Sequence, residues 1–271
     1  MLAHGCGIDT SPTGGPPICR SPTFAPPGAD EVCLYLLETR PVAAAMELEL
    51  LSLLDAPERA RRLRFVAPAD RYTHLMAHAL LQRVLRTATG RPMCSLYRDS
   101  RGKPHLEPPP GRPLCFNLTH TGGLVACATA TMPVGVDAEW VDIDKAWIEI
   151  AKRFFSPAEV STLTGLAGKD LARQFFGIWT LKEAIVKAAG CGITIPLERF
   201  SVDPTSRPPG MVTDLARLAG RWSLDRISLP THEVAVAVQV EASSPVRLKT
   251  VFCDPEDIVD PPDTTRMPVA R

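Results

Sequence analysis

Apolar positions along the chain switch twice between a strand period and a helix period. A strand is predicted at Glu31 to Thr39, then helical periods at about 42–54, 56–65 and 69–88, then strands at about 113–121, 124–130 and 134–141. In the 69–88 segment Tyr72, Leu75, Met76, Ala79 and Leu80 form the stripe expected to be buried, and His78 falls on the polar ribbon. The second half repeats that order. Helical periods at about 145–153, 156–166 and 170–189 precede strand-like runs at 199–203, 222–229 and 233–240, of which Glu233 to Val238 alternates most cleanly. The repeat is one of element order, with no residue-level self-similarity between the halves.

This pattern predicts an α+β fold of two pseudo-symmetric halves, residues 31–133 and 134–253, with the 134–141 strand near the boundary. A small-molecule site is expected at their interface, a common place for pockets. Residues 1–30, rich in Pro, Gly, Ser and Thr and without period, read as a disordered leader, and 254–271 as a flexible tail. Because both halves lie in one chain, the site is expected to form in a monomer.

The 271 residues are 45% hydrophobic, enough to build a core, and 30 basic residues cancel 30 acidic ones. No global positive field is available for nucleic acid or an anionic membrane, so any anion site must be local. No signal-peptide pattern opens the chain and no apolar run approaches a membrane span, so a cytoplasmic protein is expected. The eight cysteines fall at irregular spacings without a Cys-x-x-Cys pair, and Cys115 and Cys127 read as reduced core thiols.

Within this neutral chain three carboxylates are placed to converge. Asp137 and Glu139 are two apart on a predicted strand, so both point to one face. Glu183 and Lys187 are four apart on a predicted helix and share a face with Trp179. Taken singly, these groups suit a solvated strand face and a surface i,i+4 pair. Taken together they suit Mg2+ and a phosphate-bearing substrate.

Gly135-Val136-Asp137-Ala138-Glu139 and Trp179-Thr180-Leu181-Lys182-Glu183-Ala184-Ile185-Val186-Lys187 resemble the two signatures of 4′-phosphopantetheinyl transferases of the Sfp type. Three further blocks resemble the family: Arg101 to Pro104, Phe116 to Thr121, and Lys152 to Glu159. The resemblance implies Mg2+-dependent transfer of the phosphopantetheine arm of coenzyme A to a serine of an acyl or peptidyl carrier protein, releasing adenosine 3′,5′-bisphosphate. It implies that Asp137, Glu139 and Glu183 hold the metal, that Glu183 is also the candidate general base, and that Lys187 neutralises the pyrophosphate. Arg61, His78, Lys103, Thr119 and His120 are the implied coenzyme A contacts, Thr119 standing where the family commonly has serine. Glu159 matches a family acidic position, or else belongs to the N-terminal turn capped by Ser156.

One departure concerns the helix at 69–88, where the family typically has an arginine three residues after the aspartate. Here Asp70 is followed by Thr73 at that place, with Arg71 and His74 as the nearest replacements. Two histidines four apart, His74 and His78, also suggest zinc, but Leu75 stands where a zincin has its glutamate. Two rival readings are a carrier-binding pseudo-enzyme and a metal-dependent nucleotide phosphohydrolase.

Overall fold

The computed structural model describes residues 18–19, 23–111, 113–240 and 245–259. Strands β1 (Ile18–Cys19) and β2 (Glu31–Glu38) lead into helices α1 (Ala44–Ser52), α2 (Ala56–Arg62) and α3 (Pro68–Thr89). A short hairpin, β3 (Ser95–Arg98) and β4 (Pro104–Glu107), and a longer one, β5 (Cys115–Thr121) and β6 (Leu124–Ala130), complete the first series. The second series repeats it: β7 (Val134–Trp140), α4 (Trp147–Phe154), α5 (Pro157–Leu163), α6 (Gly168–Ala189), the short hairpin β8 (Phe200–Asp203) and β9 (Gly210–Thr213), and the long hairpin β10 (Arg221–Ser228) and β11 (His232–Val240). Strand β12 (Arg247–Cys253) and helix α7 (Pro255–Ile258) follow.

The pseudo-symmetry extends to the ends of the two long helices. Helices α3 and α6 are each 22 residues long and stop at a left-handed glycine, Gly90 (φ 71°) and Gly190 (φ 62°). Only glycine takes that conformation without a steric cost, so both helices end sharply before their short hairpins.

Two sheets, ordered β1-β12-β2-β6-β5 and β10-β11-β7, lie between the long helices. Strand alternation sorts their side chains into three cores. Cys33, Tyr35 and Leu37 of β2 with Val125 and Cys127 of β6 face α3. The other faces of β2 and β6 meet Val134, Val136 and Ala138 of β7 and Val234, Val236 and Val238 of β11 between the sheets. Ala235 and Ala237 of β11 face α6. Helix, sheet, sheet and helix therefore stack in four layers, with the successive cores set by the period of two along each strand.

Three expectations about the ends of the chain are corrected. Part of the leader is ordered: Ile18 and Cys19 pair in parallel with Thr250 and Val251 of β12, and Phe24 stacks on Tyr35 at 5.2 Å. The remainder of the leader expectation, residues 1–17 and 20–22, lies outside the described residues. The expected tail begins with α7, whose Pro255 and Ile258 are buried, while 260–271 also lie outside. Finally, β12, expected to belong with the second half, pairs in parallel with β2 of the first, Arg247 opposite Glu31 through Cys253 opposite Leu37.

Cys33, Cys94, Cys115, Cys127, Cys191 and Cys253 are free thiols. Cys127 is buried and burial pushes its thiol up, whereas Cys115 is only partly buried.

Candidate active site at the seam between the sheets

The site is built where two edge strands, β5 and β7, come side by side. They are joined through a side chain rather than a backbone ladder: the Val136 amide donates to Asn117 Oδ1 at 2.9 Å. This bond satisfies a buried backbone donor on the free edge of β7. Because Val134, Val136 and Ala138 enter the inter-sheet core, Gly135, Asp137 and Glu139 face the other way, toward α6. A Cβ at Gly135 would meet the Ala184 carbonyl oxygen and lie 2.5 Å from the Ala188 amide nitrogen. The missing side chain lets the backbone of α6 close onto β7, which brings Lys187 to Asp137.

Asp137 is buried, and its two oxygens have different surroundings. Oδ1 accepts from Lys187 Nζ at 2.6 Å and from Thr119 Oγ1 at 3.3 Å, and Lys187 Nζ also donates to Thr119 Oγ1 and the Val136 carbonyl, each at 3.2 Å. Oδ2 is buried without a partner. Burial raises the Asp137 carboxyl, an effect opposed by the charge and hydrogen bond of Lys187. Glu139 is pushed up to about 7, first by burial and then by the charge of Asp137. Glu183 is raised for the same two reasons. Three carboxylates around one lysine, two of them raised by the charge of Asp137, form a site short of positive charge, and the bare Asp137 oxygen is the atom best placed to meet a cation.

Thr119 therefore lies among the carboxylates, but His120, next along β5, falls on the opposite face and is exposed. Partial burial lowers the His120 imidazole, and Lys187 on one side and Asp70 and Arg61 on the other act on it, so it lies between the carboxylates and the α2–α3 region. Arg61 is half exposed, 4.0 Å from Glu58. His78 stacks on His74 with ring centroids 4.3 Å apart and lies 3.5 Å from Glu58. Lys103 approaches from the short hairpin, its Nζ donating to the carbonyls of Lys187 and Ala188 at 3.1 and 3.2 Å, and Arg101 donates to the Gly190 carbonyl at 3.1 Å. These cations sit at the C-terminal end of α6, where they meet the negative end of the helix dipole.

Glu159 takes the capping role. Its carboxylate accepts from the Ser156 amide at 2.8 Å while Ser156 Oγ accepts from the Glu159 amide at 3.3 Å. It also pairs with Lys182, fully buried at 2.8 Å, and accepts from the Val202 amide at 2.8 Å. Lys182, one residue before Glu183, thus points away from the seam into the core. Of the residues considered as replacements for arginine at Thr73, Arg71 donates through Nε to the Phe65 carbonyl at 2.7 Å and His74 is turned to Glu58 at 3.0 Å.

Two cavities flank the carboxylates. One, of about 530 Å³, is lined by Lys103, Asn117, Phe154, Glu183, Lys187 and Ile195 among others. The second, of about 410 Å³, lies beside Glu139 and is walled by Trp140, Trp147, Phe175, Phe176 and Trp179. Three contributors escape a sequence reading of roles. Asn117 and Gly135 stand in the recognised blocks, but only the edge-to-edge seam shows what they do. Glu58 has no local signal, because its partners lie 16 and more residues away on α3.

A family model described as 4′-phosphopantetheinyl transferase superfamily matches residues 133–239, and one described as 4′-phosphopantetheinyl transferase, N-terminal, matches residues 40–132. The chain is 32% identical over 216 residues to the 4′-phosphopantetheinyl transferase HetI of a Nostoc species, covering 78% of this chain and 88% of that one. It is 32% identical over 165 residues to a 4′-phosphopantetheinyl transferase of Bacillus subtilis, covering 60% of this chain and 72% of that one. A phosphopantetheinyl transferase of a Thraustochytrium species is 28% identical over 254 residues, covering 89% and 88% of the two chains.

Proposed function

The chain belongs to the 4′-phosphopantetheinyl transferase superfamily, and from that premise we propose that it transfers the 4′-phosphopantetheine arm of coenzyme A to a serine of an acyl or peptidyl carrier protein, using Mg2+. In this reaction the serine oxygen bonds to the phosphorus that carries the pantetheine. The bond from that phosphorus to the bridging oxygen breaks, and adenosine 3′,5′-bisphosphate leaves with the electron pair. The site must therefore accept the serine proton and offset charge on the pyrophosphate.

One observation carries this reading: Asp137 has one oxygen fixed by Lys187 and Thr119 and the other buried and bare, and its charge raises Glu139 and Glu183 beside it. That donor set fits a hard divalent cation, with Asp137, Glu139 and Glu183 as its holders. Bound there, Mg2+ would supply positive charge to offset that of the pyrophosphate. Glu183, raised by burial, is the residue proposed to take the serine proton. Lys187 keeps its ammonium at the seam through Asp137 and Thr119, facing both the carboxylates and the 530 Å³ cavity. The cavity, walled by Phe154, Val186, Ile195 and Leu197 with Lys103, Glu183 and Lys187 among its lining, suits a long, flexible, weakly charged chain such as the pantetheine arm next to the carboxylates. Arg61 and His120, on the α2–α3 side, are proposed to face the nucleotide phosphates.

The test incubates the protein with coenzyme A, Mg2+ and several apo carrier proteins and reads carrier mass. A gain of one phosphopantetheine arm, lost in Glu183→Gln and without divalent cation, supports the proposal. Coenzyme A cleavage without carrier labelling would assign a hydrolase activity instead.

A further inference from the structure

A second cluster of metal-binding side chains lies apart from the carboxylates, between α2 and α3. His74 and His78, four apart on α3, share a face, and both present Nε2 to Glu58 Oε2, at 3.0 and 3.5 Å. One ligand atom from each of the three residues lies within 4.8 Å of the other two. We propose that Glu58, His74 and His78 form an exchangeable site for a zinc-class divalent cation, independent of the proposed Mg2+ site.

Geometry and donor chemistry agree on that class. Tetrahedral Zn2+ has bonds of about 2.0–2.2 Å to imidazole nitrogen and carboxylate oxygen, which places neighbouring ligand atoms about 3.3 Å apart. The two separations to Glu58 Oε2 bracket that spacing and the remaining one lies within 4.8 Å, so an ion would enter by side-chain adjustment without backbone movement. Two imidazoles and a carboxylate suit zinc and its transition-metal neighbours, whereas Mg2+ prefers oxygen ligands alone. Three protein ligands leave the fourth position to water or another small donor. His74 is buried, but the side chains of His78 and Glu58 are partly exposed, so the cluster is open on one side.

Two features make the site exchangeable rather than permanent. His74 Nδ1 is buried without a partner, so no carbonyl or carboxylate fixes the ring from behind; loss of such support costs about 10- to 100-fold in metal affinity. Arg61 lies 4.0 Å from the other oxygen of Glu58 and opposes a bound cation. Glu58 arrives from another helix as a ligand, and Leu75 follows His74, so the cluster lacks the base of a zinc hydrolase.

The full chain, saturated with Mg2+, is titrated with Co2+ and followed by visible absorption, then challenged with Zn2+. The expected result is one tetrahedral Co2+ site with nitrogen and oxygen ligands, displaced by one equivalent of Zn2+. Its affinity should fall at least tenfold in His78→Gln and in Glu58→Gln and stay unchanged in His105→Gln. His74→Gln, at a buried position, is not needed for the decision. Unchanged Co2+ affinity in both His78→Gln and Glu58→Gln, thiolate charge-transfer absorption, or no tetrahedral Co2+ spectrum would overturn the proposal.

Discussion

The Cα of Gly135 faces the backbone of Ala188 so closely that a methyl group on it would lie 2.5 Å from the Ala188 amide nitrogen. Gly135→Ala therefore pushes α6 from β7 and moves Lys187 from Asp137. Overpacking of this kind costs about 1–3 kcal/mol, and here the obstacle is backbone rather than a movable side chain. Thermal unfolding should register a lower Tm, and carrier labelling by the folded fraction should fall at least tenfold. Unchanged values in both would show that the helix approach does not depend on this glycine.

Removing either partner of the ion pair at the seam should cost activity beyond the loss of stability that a stranded buried charge brings, so rates are read per folded molecule. Lys187→Met keeps the length and apolar stem but leaves Asp137 without its 2.6 Å donor. Loss of one preorganised charge of this kind costs about 10²–10³-fold in turnover. Asp137→Asn is expected to lose a similar factor while remaining folded. Steady-state labelling rates set beside circular dichroism check both, and near-normal rates in the two variants would refute the assigned site.

Stability of the metal-free protein should depend on pH through Glu139. Its carboxyl is raised from an ordinary 4.5 to about 7, first by burial and then by Asp137. The folded chain thus binds this proton more tightly than the unfolded chain does. The resulting stabilisation is complete below about pH 4.5 and is lost as pH rises through about 7. Solvent screening limits the effect to roughly 1–2 kcal/mol. Divalent cation at the carboxylates should flatten the decline and bind more tightly as pH rises through the same window. Unfolding curves with and without Mg2+ across pH 5–8 measure this, and a Glu139→Gln variant should show a smaller difference, the remainder belonging to Asp137 and Glu183, which burial also raises.

Lys182 and Glu159 should behave as structural residues, although one adjoins Glu183. Lys182 Nζ is fully buried, donates to the carbonyls of Leu197 and Phe200 at 2.7 and 2.5 Å, and lies over the Phe200 ring at 4.3 Å. Lys182→Met leaves a buried carboxylate without its cation, a loss of about 3–5 kcal/mol. Adding Glu159→Gln removes the stranded charge and should recover part of that loss. Urea denaturation reports the coupling, and kcat per folded molecule should change only a few-fold.

Much of the fold was legible because burial in this chain follows period. Strand β11 alternates between two cores, and α3 buries Leu75, Met76, Ala79 and Leu80 of the expected stripe while Tyr72, in the first turns of the helix, is only partly buried. The hairpin β3–β4 leaves no periodic signal because it is short and largely solvated, with a single buried residue, Leu106. Strand β12 alternates weakly, and its partner β2 lies some 200 residues earlier, beyond any local signal. At the seam, strand and helix periodicity suffices to put Asp137 against Lys187 at 2.6 Å, with Glu139 and Glu183 near enough to feel the charge of Asp137. The setting of His78 was not legible, since Glu58 meets it only when α2 folds onto α3.

The return of β12 to the first sheet has a consequence for biosynthesis. Strand β2 is translated early, yet one of its two neighbours is completed only when residue 253 has been made. Until then β2 offers an open edge of the kind that templates misassociation, and the parallel pairing it awaits closes one of the longest loops in the chain. The nascent first half therefore cannot finish on the ribosome ahead of the second, and a stop codon just after β11 should yield an aggregation-prone chain rather than a shorter enzyme.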